Sequence, residues 1–199
     1  MKTLICGGRV SDAVHREPYY ADILIEDGKI SAIGLHLAVP EDAEALLAYT
    51  KTAGAETDNL SFGAEGLDMT AEEVRDMLTH LEHSRYGLIL LAKSGGRIVG
   101  IGSFTIQKTP RMRHRGEVAV SVLQSCWNNG IGSNLLSLLI RFGREIAGVD
   151  QITLDVRSDN ERAIRLYRKF GFEKTGVFPG YVKINDQLID CDLMVLRFR

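Results

Sequence analysis

Apolar residues recur along this chain with two periods, and the places where one period gives way to the other divide it into elements. Residues 4 to 10 and 19 to 33 read as short strands, with Asp27-Gly28 predicting a hairpin turn between 21–25 and 29–33. After residue 34 the pattern changes. Residues 35–38 fit a short strand, and Pro40-Glu41-Asp42 opens a helix to about residue 53, with proline in its first turn and acids at its positive end. A polar, glycine-bounded loop over 54–63 follows. Thr70 with Glu73 then forms a capping box ahead of Val74, Met77, Leu78 and Leu81 at helical spacing. Runs at 86–92, 98–106 and 117–123, with Val118, Val120 and Val122 alternating, predict three antiparallel strands.

The second half alternates strand and helix. Ile131, Leu135, Leu138, Leu139, Phe142 and Ile146 recur every three or four residues and mark one buried helix face. Ile152, Leu154 and Val156 alternate as a strand. Residues 160–170 form a short helix with Ala163, Ile164, Tyr167 and Phe170 inward, and residues 181–184 and 188–198, divided by Asn185-Asp186, form a closing pair of strands. The fold class expected is α/β, a mixed and mostly antiparallel sheet flanked by helices, with a short β appendage at the N-terminus.

Composition narrows the classes of function. Lys and Arg number 24 against 26 Asp and Glu in 199 residues, a net charge of −2, so the broad positive field of a nucleic-acid binder is missing and an anionic ligand must be held locally. No apolar run approaches the roughly 18 residues needed to span a bilayer, and the opening residues do not make an export signal. Neither a nucleic-acid nor a membrane partner is expected. Cys6, Cys126 and Cys191 are odd in number without C-x-x-C spacing, which fits a reducing compartment, the cytoplasm by default, and gives no metal site. His80 and His83 share a helix face without an evident third ligand, and the basic run 108–115 reads as a solvated loop.

The strongest chemical signal is a strand, a turn bracketed by Gly130 and Gly132, and a helix. The first N–H groups of a helix lack internal partners, and its dipole places about half a positive charge there, so this turn suits a phosphate. The chain has no Gly-Lys-Ser/Thr triplet for a Walker loop. A Rossmann fingerprint fails as well, because Leu135 stands where a third glycine belongs.

The next segment, Val156-Arg157-Ser158-Asp159-Asn160-Glu161-Arg162-Ala163-Ile164-Arg165-Leu166-Tyr167-Arg168-Lys169-Phe170-Gly171-Phe172, resembles the second cofactor motif of GNAT-type N-acetyltransferases. With the glycine turn before it, the resemblance covers about residues 35–199, giving a transferase domain of 35–199 and an appendage of 1–34. Residues 1–34 resemble the opening strands of amidohydrolase-type enzymes, but His36 stands alone where that family has a His-x-His pair, and too few residues follow for its barrel. The phosphate turn departs from the GNAT pattern at Trp127, where Gln or Arg is usual.

The GNAT resemblance implies transfer of an acetyl group from acetyl-CoA to a primary amine by direct attack, without a metal. It implies pyrophosphate on the amides of Asn128, Asn129, Gly130, Ile131, Gly132 and Ser133, the pantetheine arm along Val120 and Val122, and contacts from Asn160. A neutral amine is the nucleophile, and a lysine-like amine has a pKa near ~10.4, so a base is needed. Glu117 is the candidate by resemblance and Glu56, on the preceding loop, the runner-up. By pattern alone Tyr167 reads as a core aromatic on the face of Ala163, Ile164 and Phe170; in the context of residues 160–172 it matches the family's acid toward the leaving thiolate. The alternative function is a non-catalytic acyl-CoA binding or sensing module. The acceptor, a small-molecule or peptide amine, is not named by loop sequence, and a homodimer stays open.

Overall fold

The computed structural model describes residues 2–10, 19–26, 29–34, 38–81, 84, 86–94, 96–107 and 109–198, with side chains from Ala38 onward. The strands are β1 (Lys2–Val10), β2 (Tyr19–Glu26), β3 (Lys29–Gly34), β4 (Gly87–Ser94), β5 (Arg97–Ile106), β6 (Arg115–Val122), β7 (Gln151–Arg157), β8 (Glu173–Ile184) and β9 (Gln187–Arg197). The helices are α1 (Ala43–Glu56), α2 (Ala71–Leu81), α3 (Ile131–Arg141) and α4 (Glu161–Lys169).

The sheet order is β3-β2-β1-β4-β5-β6-β7-β9-β8. Every pairing is antiparallel except β6 with β7. That pairing joins a strand to the one after the α3 crossover, as parallel neighbours require. The six strands from β4 to β9 carry the helices. The turn at Asp27-Gly28, residues 35–37 of the strand expected at 35–38, and His83 lie outside the described residues.

Helices cover both faces. On one, α3 and α4 bury Leu135, Leu136, Leu139, Ile164 and Tyr167 against Phe104, Val118, Ile152, Leu154 and Met194. On the other, α1 and α2 bury Leu46, Tyr49, Val74 and Leu78 against Leu91 and Ile98. Each such leucine withdrawn from water is worth ~1.5–3 kcal/mol, which is why the three-and-four spacing predicts these helices well. The α2 capping box is present: Thr70 N–H donates to Glu73 Oε2 at 2.7 Å and Glu73 N–H to Thr70 Oγ1 at 3.2 Å.

Three expectations need correction. The α1 helix runs three residues past 53, so Glu56 ends a helix instead of lying on the loop. The α3 helix stops at Arg141 and continues as a π-helical turn, Phe142–Ala147, which rotates Ile146 out of the core to 44% exposure. Strand β8 begins at Glu173, eight residues before 181. Its first part is an exposed edge broken by Gly176, Pro179 and Gly180, with none of the apolar alternation that burial imposes.

Candidate active site

The β6–β7 pairing lasts only from Arg115–Gln151 to Glu117–Thr153, after which the strands diverge. Leu123 N–H donates to Val99 O on β5 at 2.9 Å, so by alternation the amides of Val118, Val120 and Val122 face β7, and those of Val120 and Val122, beyond the last paired rung, face the gap. The Val122 carbonyl on that edge accepts from Trp127 Nε1 at 2.7 Å. The Val120 and Val122 amides are therefore a strand edge open to an extended ligand.

At the wide end of the gap lies the glycine turn. Asn128 and Gly130 adopt left-handed backbone, φ 64° and 79°, which turns the chain sharply into α3. Asn134 N–H donates to Gly130 O, the first bond of the helix, leaving the amides of Ile131, Gly132 and Ser133 without intrahelical partners. A Cβ on Gly130 would meet no atom within 4 Å, so the space over the turn is open. Asn129 Nδ2 donates to Cys126 O and so tightens the turn itself. Asn160 Oδ1 accepts from Ala163 N–H at 3.2 Å and caps α4.

Trp127 does more than pack. The Arg162 guanidinium, from the first turn of α4, lies over its ring, and burial pushes that guanidinium's pKa down. Among the described residues no carboxylate pairs with Arg162. The chain thus brings a cation to the glycine turn from a different element, a placement sequence reading missed because residues 127 and 162 meet only through the fold.

Two further groups close the gap. Glu117, Thr153 and Asp155 share one sheet face, opposite to that of α3 and α4, with Asp155 one alternation beyond the last paired rung. Asp155 keeps solvent contact, yet partial burial raises its carboxyl pKa. Tyr167 approaches from the opposite face, its ring 5.8 Å from that of Phe172. Burial, then the Asp155 carboxylate, push its phenol up to about 12. Its hydroxyl makes no hydrogen bond among the described residues, while none of their buried polar side-chain atoms lacks a partner. The hydroxyl therefore reaches open space in the gap. Asp155 was not a candidate from sequence; the signal was one acid in the alternation Ile152, Leu154, Val156.

The α1 end and the loop after it lie over this face. Tyr49 and Ser121 hydroxyls bond at 2.9 Å, and Arg157 holds Asp159 through two nitrogens while donating to Asp58 O at 3.0 Å. The Glu56 carboxylate accepts from Gln124 N–H at 2.6 Å. Glu56 is thus tied to the segment that leads into the glycine turn, and Glu117, exposed on β6, lies nearer Asp155 in the register.

A central sheet splayed at its parallel pair, with a glycine turn and helix at the wide end, defines an α/β fold built to receive an extended, phosphate-bearing ligand. The chain belongs to the acetyltransferase (GNAT) family, whose model matches residues 55–172. It is 32% identical over 105 residues to L-amino acid N-acetyltransferase AaaT of Escherichia coli (strain K12), covering 53% of this chain and 65% of that one. A GNAT acetyltransferase structure from Streptococcus pneumoniae superposes with TM-score 0.78 at 31% identity, covering 82% of this chain and 98% of that one. The structure of yncA from Salmonella typhimurium with its cofactor acetyl-CoA gives TM-score 0.71 at 22% identity, over 82% of this chain and 92% of that one. The chain spans between about half and two thirds of the length of the first curated relatives it matches. These likenesses leave the amidohydrolase resemblance of residues 1–34 without support. Among the described residues no helix is long and apolar enough to cross a membrane, and no group of His, Cys, Asp or Glu is arranged to hold a metal.

Proposed function

We propose that this chain is an acetyl-CoA-dependent N-acetyltransferase acting on a primary amine in a ternary complex. The observation that carries the reading is the splay: an open strand edge leads from Tyr167 and Asp155 to unpartnered helix amides, so one extended ligand meets both chemistry and phosphate site. Acetyl-CoA supplies the activated acetyl thioester when bound. The residues present fit it. Amides of Asn128 to Ser133 would receive its pyrophosphate, with Arg162 adding a charge that backbone amides lack. The Val120 and Val122 edges would pair with the pantetheine arm, and an amide there would stabilise negative charge on the carbonyl oxygen.

Asp155 is the base this reading favours, with Glu117 beside it, because a carboxylate with a raised pKa accepts a proton from an ammonium more readily than an ordinary one. Tyr167 donates a hydrogen bond toward the departing sulfur. Glu56, engaged by Gln124 N–H, would position the loop. The acceptor is a small-molecule or peptide amine, the acidic face of Glu117 and Asp155 suiting a cation. Residues 1–34 would be an appendage to a transferase domain of 35–199, and the free Cys126 and Cys191 suit the cytoplasm.

A sensing module would keep the phosphate turn but needs neither Tyr167 nor Asp155. The test is titration calorimetry with acetyl-CoA and CoA, followed by thiol-release assays over a panel of amines. Binding with release on any amine is the expected result. Binding without release across the panel would support the module, and no binding would overturn the reading.

A further inference from the structure

The face that carries Asp155 continues across β9 to the sheet edge. Asp155 stands opposite Leu193, and Arg157 opposite Cys191. On the next strand Gly176 stands opposite Leu193, and Phe178 opposite Cys191. Directly paired residues project from the same face, so Leu193 and Phe178 lie on the side of Asp155. Gly176 puts no side chain over Leu193; a Cβ there would come 3.8 Å from Leu193 Cδ1.

Beyond Phe178 the ladder slips, and Pro179, Gly180 and Tyr181 bulge out before pairing resumes at Val182. Gly180 takes φ 59° and donates its N–H to Asp190 Oδ1 at 2.8 Å. The bulge sets the Tyr181 ring 4.7 Å from that of Phe178. The register that sets Phe178 on the face of Asp155 and Arg157 puts the ring pair on the acids' side of the sheet, and the Asp155 carboxylate, then burial, then Glu117 raise the Tyr181 phenol. Leu193, Phe178 and Tyr181 are 37%, 49% and 47% exposed. Exposed apolar residues are ordinary singly, but a strip bordering two carboxylates offers negative charge for a cation on one side and apolar surface for a hydrophobe on the other.

We propose that Leu193, Phe178 and Tyr181 seat an apolar or aromatic side chain carried next to the acceptor's amine, so that the enzyme prefers amines flanked by such a group. This rests on the splay being the transfer site. The ammonium would sit against Asp155 and Glu117 while its neighbouring side chain lies across Leu193 onto the Phe178 and Tyr181 rings.

The test compares glycinamide, leucinamide and phenylalaninamide, which share one amine chemistry and differ in side chain. The expected kcat/KM rises at least about tenfold from glycinamide to phenylalaninamide, as a filled hydrophobic subsite gives. Phe178→Ala should compress that ratio to within about threefold. Gly176→Leu, at a position without left-handed backbone, fills the strip from within and should do the same. Both variants should bind acetyl-CoA unchanged by calorimetry. A flat wild-type series with measurable turnover, or full preference retained in both variants, overturns the proposal alone. So does a solution dimer that Phe178→Asp dissociates while the acceptor series stays as it was, since the strip would then belong to a second copy. Absence of thiol release with every amine overturns the transferase reading itself.

Discussion

Replacing Tyr167 with phenylalanine separates two ways in which a phenol can help a thiolate leave. Burial and the Asp155 charge push the phenol up to about 12, whereas a free thiol lies near ~8.5. Complete proton transfer from Tyr167 to the sulfur would then be uphill by ~3.5 units, or ~5 kcal/mol. A hydrogen bond to the developing charge needs no such transfer, and bonds of that kind contribute ~1.5–3 kcal/mol. Tyr167→Phe should therefore slow the acetyl-transfer step by about 10- to 150-fold. The aromatic packing against Phe172 survives, and the hydroxyl has no partner to strand, so folding stability should change by less than about 0.5 kcal/mol. The assay is single-turnover thiol release with a saturating amine, beside calorimetry for acetyl-CoA, whose affinity should stay within about twofold because the interaction arises in the transition state. A rate within about twofold of the parent would remove Tyr167 from the chemistry. A loss beyond about 10⁴-fold would refute the hydrogen-bond account and require full proton donation.

Other outcomes follow from the same geometry. Asp155 must lose its proton to act as base, so kcat/KM should climb as pH rises through its raised pKa and level off above it; Asp155→Asn should abolish that limb while Glu117→Gln keeps it, and an unchanged pH profile in Asp155→Asn would exclude it as base. Stability moves oppositely: a raised carboxyl pKa means stability is lost as pH climbs from the unfolded value, about 3.9, through the folded one, so Asp155→Asn should melt no lower than the parent at neutral pH. Gly130→Val forces a branched residue into left-handed backbone at ~1–2 kcal/mol and re-aims the amides at the start of α3; calorimetry should show acetyl-CoA binding weakened about tenfold, and equal affinity would count against the phosphate turn. Thr70→Ala removes the α2 cap and should cost ~1 kcal/mol in urea unfolding, with coenzyme affinity untouched.

Much of this protein is readable along the chain because burial and backbone geometry write themselves locally. The spacing of Leu135, Leu139 and Phe142 marks the inner face of a helix, the Thr70–Glu73 box marks where another begins, and glycines at 130 and 132 mark the turn proposed to receive phosphate. Tyr167 is readable as a candidate too, since its motif is contiguous. What the chain does not display is anything that depends on residues far apart in sequence meeting. The splay exists because β6 and β7 part after Glu117 and Thr153, and no local pattern encodes where a ladder ends. Asp155 becomes a candidate only because that point of departure lies beside it. Arg162 reaches Trp127 through the packing of α4 beside the turn, and the Leu193, Phe178 and Tyr181 strip forms across β9 and β8, beside β7. The first part of β8 escapes a pattern reading because an exposed edge bears no alternation, yet it carries the surface that borders the site. Local sequence determines which elements form, because their periods and caps are properties of neighbouring residues; the site is decided by where the sheet opens, which is a property of all its strands at once.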